Sequence, residues 1–140
     1  MKEPSAKRQR TLALQERALR FSTNVIDCCP ERYATLAGSR VWDQLTRAAD
    51  GTSNNLIEAD GASSDADFLH KMSIALREAK EARACLMKVR VCGLEHSQKV
   101  ADLELESEAS QLAAIFATII LNMRKRLASQ TRKKSGADVD

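Results

Sequence analysis

Apolar positions recur along this chain at intervals of three and four, the period of amphipathic helices. The first such stretch runs from about Lys7 to Cys28. Leu14, Ala18, Phe21, Val25 and Cys28 form one stripe, and Leu12, Leu19 and Ile26 add a second at intervals of seven. Two stripes predict two buried contacts. Pro30 closes the helix, because the residue before a proline is pushed out of the helical region. A second helix is predicted over about 36–59, with Val41, Leu45, Ala48, Thr52, Leu56 and Ala59 on its stripe. Gly51 sits inside it, costing about 1 kcal/mol relative to alanine and suiting a close approach by another helix.

A third helix is predicted over about 64–92. Ser64 with Asp67 is its start signal. Phe68, Met72, Ala75, Leu76, Ala79, Ala82, Leu86 and Val89 face inward, and Gly93 is the stop. The polar break from Asp60 to Asp65 joins helices two and three as a helical hairpin. The fourth helix is predicted over about 98–128, with Leu112, Ile115, Phe116, Ile119, Ile120, Met123 and Leu127 on its core face. It opens with Asp102, Glu104, Glu106 and Glu108 and closes with Arg124, Lys125 and Arg126, an order that complements the helix dipole. Residues 129–140 read as a frayed, basic and polar tail. There is no strand signal, so the expected fold is all-α: an antiparallel up-down-up-down four-helix bundle over residues 1–128.

Composition supports one helical domain. The chain has 140 residues, 44% of them hydrophobic and only 4% aromatic. Trp42, Leu69 and Ile74, with the second stripe of helix one, are apolar positions off the main stripes, and such excess predicts a subunit interface. No apolar run is long enough to span a membrane, and the basic N-terminus has no apolar segment that would make it a secretory signal. A cytoplasmic location is therefore expected. The four cysteines, Cys28, Cys29, Cys85 and Cys92, include no CxxC pair and are expected to be buried, reduced thiols.

Net charge is +3, small for the whole chain but unevenly placed. From Arg124 to Lys134 there are six basic residues and no acidic ones: Arg124, Lys125, Arg126, Arg132, Lys133 and Lys134. They read either as a dipole complement with a solvated tail or as contacts to nucleic-acid phosphates. Residues 2–10 carry four basic residues against one acidic. Arg47, Asn55 and Glu58 project from one side of the second helix. They read as a polar cluster, either fixing helix register inside the bundle or meeting a ligand or neighbouring subunit. His70 lacks the Glu-x-x-His spacing of bundle metal sites, and Glu78 and Glu81 are surrounded by Lys71, Arg77, Lys80 and Arg83 as a salt-bridged face. No nucleophile–base pair or phosphate loop is present. No catalytic residue, metal ligand or cofactor is assigned.

One ordered set of residues is more specific. Gln44-Leu45, Arg47, Asn55, Glu58-Ala59, Gly61-Ala62, Ser64 and Phe68 are followed by KMSIALREAKEAR over residues 71–83, then Glu108, Leu112, Ile115, Ile119 and Ile120. From about Leu12 to Arg126 the chain resembles the four-helix-bundle protein family of bacterial 23S rRNA intervening sequences, related to accessory proteins of diversity-generating retroelements. The resemblance implies a left-handed bundle, a cyclic homo-oligomer that is typically a pentamer, a basic surface for RNA or DNA, and no enzymatic activity. A scaffold for another protein is the alternative role.

Overall fold

The computed structural model describes residues 2–137. Among them there are five helices and no strands: α1 Ala6–Cys28, α2 Leu36–Asp60, α3 Asp65–Val91, α4 Ser97–Asp102 and α5 Leu105–Ala137. Local chemistry sets most boundaries. The Ser5, Thr35 and Ser64 side-chain oxygens accept hydrogen bonds from the backbone N–H groups of Arg8, Gly38 and Asp67, which caps α1, α2 and α3. Asp67 returns the interaction by accepting from the Ser63 N–H at 3.1 Å. Cys29, just before Pro30, has extended backbone and ends α1. Gly93 ends α3 with φ 58°, while the Leu94 N–H donates back to the Val89 carbonyl. That pairing satisfies a terminal carbonyl that would otherwise face no donor.

The predicted fourth helix is two helices. Glu104 is left-handed, with φ 52°, and divides α4 from α5. The bend lets both Val100 and Leu105 bury in the core, which a continuous helix would not allow with those neighbours exposed. The predicted tail also differs. Residues 129–137 continue α5, which has 33 residues and is about 50 Å long; residues 138–140 lie outside the described residues.

The α2–α3 pair is the most extensively packed, followed by α3–α5 and α1–α2, whereas α1 and α5 touch more sparingly. Ala48, Ala75, Ala79 and Ala82 are buried and let backbones approach, while Trp42, Phe21, Phe116, Leu45, Met72 and Leu86 fill the volume between helices. Trp42 corrects an expectation. It is 0% exposed rather than part of an outward surface, because α2 packs against α1 and α3 together and buries a wider arc than one stripe. Leu12, Leu19 and Ile26 do face outward, at 41%, 48% and 52% exposure.

Polar ties join particular helix ends. Near the start of α1, Arg8 forks onto Asp60 at the end of α2, with N–O distances of 2.7 and 2.6 Å. Gln44 donates to Glu81, and Lys71 reaches Glu58 at 3.5 Å, between α2 and α3. Arg90 near the end of α3 pairs with Glu106 at the start of α5 at 2.9 Å. Arg17 donates to Glu108 at 2.8 Å and to Gln111 at 2.8 Å, tying α1 to α5.

Candidate nucleic-acid interface

The basic end of α5 begins where its apolar face runs out. Phe116 and Ile120 are buried, Ile119 and Met123 are half-buried, and every described residue from Ala128 to Gly136 is exposed. Good helix formers and the i,i+4 backbone ladder carry the segment onward without a neighbour. Arg124, Lys125, Arg126, Arg132, Lys133 and Lys134 are all exposed, and none makes an ion pair among the described residues. Arg126 has one local contact, from its guanidinium to the Met123 sulfur at 2.9 Å. The spacing of seven puts Arg132 on the same side of the helix as Lys125, and Lys133 on the same side as Arg126, each pair separated by about 10 Å along the axis.

Folding adds something that linear order conceals. Lys7, at the start of α1, and Arg126, on α5, line one cavity beside Asp60. The basic N-terminal segment and the basic end of α5 therefore lie at the same end of the molecule. Asp60 is the local counter-charge. The Arg8 hydrogen bond, partly opposed by desolvation and aided by Gln15, lowers its carboxyl pKa. One of the N-terminal cations is thus committed to a structural tie. The charge runs were visible in the sequence, and an up-down-up-down order of helices implies that they converge; the cavity that Lys7 and Arg126 share was not.

Arg47, Asn55 and Glu58 are not assembled into one cluster. Arg47 pairs with Asp43 at 3.3 Å within α2, Asn55 donates to the Gly51 carbonyl at 2.8 Å, and Glu58 meets Lys71. Arg47 and Glu58 share a helix side but stand about 16 Å apart along it, too far for direct bonding. Gly51 does serve a close approach: a Cβ there would lie 2.9 Å from Cγ of Glu78 on α3. The approaching group is a side chain. The Glu78 pKa is raised by desolvation first and by the nearby Glu81 second.

Among the described residues, no group of three His, Cys, Asp or Glu side chains is placed to hold a metal ion. All four cysteines are free thiols; Cys28 and Cys85 are buried, and burial raises the pKa of each. The expectation of burial is corrected for Cys92, which is exposed just past the end of α3, and for Cys29, which is half-buried beside the Tyr33 hydroxyl at 3.3 Å. No helix among the described residues is long and apolar enough to cross a membrane.

A family model described as "23S rRNA-intervening sequence protein" matches residues 10–117. The chain belongs to this family. The matched span takes in most of α1, all of α2, α3 and α4, and α5 as far as residue 117, so it stops before Ile119, Ile120 and the basic run that starts at Arg124. A solved structure from Bacteroides thetaiotaomicron, of a protein with unknown function from the S23 ribosomal protein family, is similar with a TM-score of 0.61 and 21% identity. The similarity covers 76% of this chain and 97% of that one, and it bears on the fold alone. No curated protein matches the chain.

Proposed function

We propose that this member of the family is a non-enzymatic accessory protein of the cytoplasm that binds RNA or DNA through repeated basic patches. The supporting observation is the exposed end of α5, with six cations that lack ion-pair partners among the described residues. In this reading α1, α2, α3 and α5 form an antiparallel up-down-up-down four-helix bundle, with α4 as a short turn before the last helix. The helix-end ties support that arrangement. The bundle is the subunit of a cyclic homo-oligomer, a pentamer by resemblance, and the exposed stripe of Leu12, Leu19 and Ile26 supports association. A ring repeats each patch around its axis, so weak phosphate contacts reinforce one another. The kinship with retroelement accessory proteins fits the same role.

Two measurements test this. Light scattering should give several times the 15.5 kDa of one chain. Polynucleotide binding should be tolerant of sequence and fall steeply with salt. Replacing Arg124, Lys125 and Arg126 with Gln should weaken binding and flatten the salt slope while oligomer and helicity persist. Unchanged binding in that variant would return the cluster to a solvated, dipole-complementing role. Absence of binding at low salt would favour a scaffold for another protein, the role to which the outward apolar stripe alone would point.

A further inference from the structure

The hydrophobic interior is not sealed at the basic end. A cavity of about 560 Å3 opens there, between the start of α1, the end of α2, the start of α3 and the later part of α5. Its walls include Leu14, Phe68, Ile119 and Met123, each only half-buried where a closed core would bury it. Its size falls within the range of small-molecule sites, and its lining combines seven apolar residues with six polar ones. Two of those polar groups are cations. Lys7 and Arg126 are at the cavity without ion-pair partners among the described residues. The Asp60 carboxylate is also there but is held by Arg8. Gln15 lies on the same wall, where its side chain faces the Asp60 carboxylate.

We propose that this cavity binds a small amphipathic acid, an aliphatic chain ending in one carboxylate. The chain would lie against Leu14, Phe68, Ile119 and Met123, removing their exposed area from water. The carboxylate would sit toward Lys7 and Arg126, where charge-assisted hydrogen bonds are stronger than neutral ones. An uncharged chain would gain the first contribution and lose the second. A polyanion would gain the second but has no apolar body for the cavity. The inference stands apart from the nucleic-acid reading, which does not need the cavity; Arg126 is common to both, and Lys7 is the residue that separates them.

The test is titration calorimetry of the full chain at low salt, with decanoate as the probe and decanol as its uncharged counterpart. Saturable decanoate binding is expected, about tenfold weaker when Lys7 is replaced by Gln, with decanol weaker again. Lys7 is exposed, so Lys7→Gln leaves the fold intact. Ile119→Trp fills the cavity from a half-buried wall position and should abolish binding; its helicity and melting curve verify folding. If Ile119→Trp does not fold, Met123→Trp from the same wall takes its place. No heat of binding with millimolar decanoate overturns the proposal. Equal affinity for decanol and decanoate, or no effect of Lys7→Gln, overturns the assignment of an acid. Full binding by the filled variant places the chain elsewhere, on the exposed α1 stripe, and also overturns it.

Discussion

Gly51 shows how one missing methyl sets a helix contact. In an unpacked helix, Gly→Ala would stabilise by about 1 kcal/mol. Here the new Cβ would lie 2.9 Å from Glu78 Cγ, an atom near the α3 backbone with little room to retreat. Gly51→Ala should therefore destabilise by about 1 kcal/mol in urea unfolding. In a Glu78→Ala background the same substitution should stabilise, which distinguishes a steric cause from a loss of backbone freedom. Glu78 itself opposes folding when ionised. Its folded pKa is raised, so the folded state binds the proton more readily than the unfolded chain. Stability should fall as pH rises from the ordinary carboxylate range through the raised value, then level off. Glu78→Gln should remove that slope and be the more stable protein at neutral pH, as read from urea midpoints across the acidic range.

Helix ends that rest on one residue's chemistry were legible in the chain: Ser64 with Asp67, Pro30 and Gly93 all act where the sequence puts them. The division of the last helix was not, because Asp102 to Glu106 contain no glycine or proline and Glu104 is a good helix former. Its left-handed backbone is imposed by burying Val100 and Leu105 together. That conformation costs an L-residue about 1–2 kcal/mol. Glu104→Gly should then raise stability by about 0.5 kcal/mol, after allowing for the freer unfolded chain, and Glu104→Val should lower it. Thermal melts of the two variants check the sign. The candidate interface was half legible. The six cations of α5 were visible as a charge run, but apolar periodicity fades after Leu127, so the same run read as a tail. Arg47 and Glu58 share a side by angle and are parted by their axial separation, while Asn55, beside Glu58, is turned to the Gly51 carbonyl.

Across the whole molecule, α1 is held to its neighbours by ion pairs as well as by its buried face. Arg8–Asp60 and Arg17–Glu108 anchor α1 to two different neighbours. Both pairs are partly exposed, so Arg8→Ala should cost about 0.5 kcal/mol at neutral pH. Asp60 has a lowered folded pKa, chiefly through the Arg8 hydrogen bond. The contribution is present above the ordinary aspartate value and is lost as pH falls through the lowered one. The difference between parent and Arg8→Ala should accordingly close in strong acid, and paired unfolding curves would reveal it. The overhang of α5 has a consequence for proteolysis. A helix segment with no packed neighbour opens at little free-energy cost, and this one presents trypsin with a dense set of cleavage sites. Brief digestion should cut between Arg124 and Lys134 well before it cuts α2 or α3, as mass spectrometry of the fragments would show. Such a cut would leave the interior intact and discard the cationic reach, separating what holds the protein together from what it offers to others.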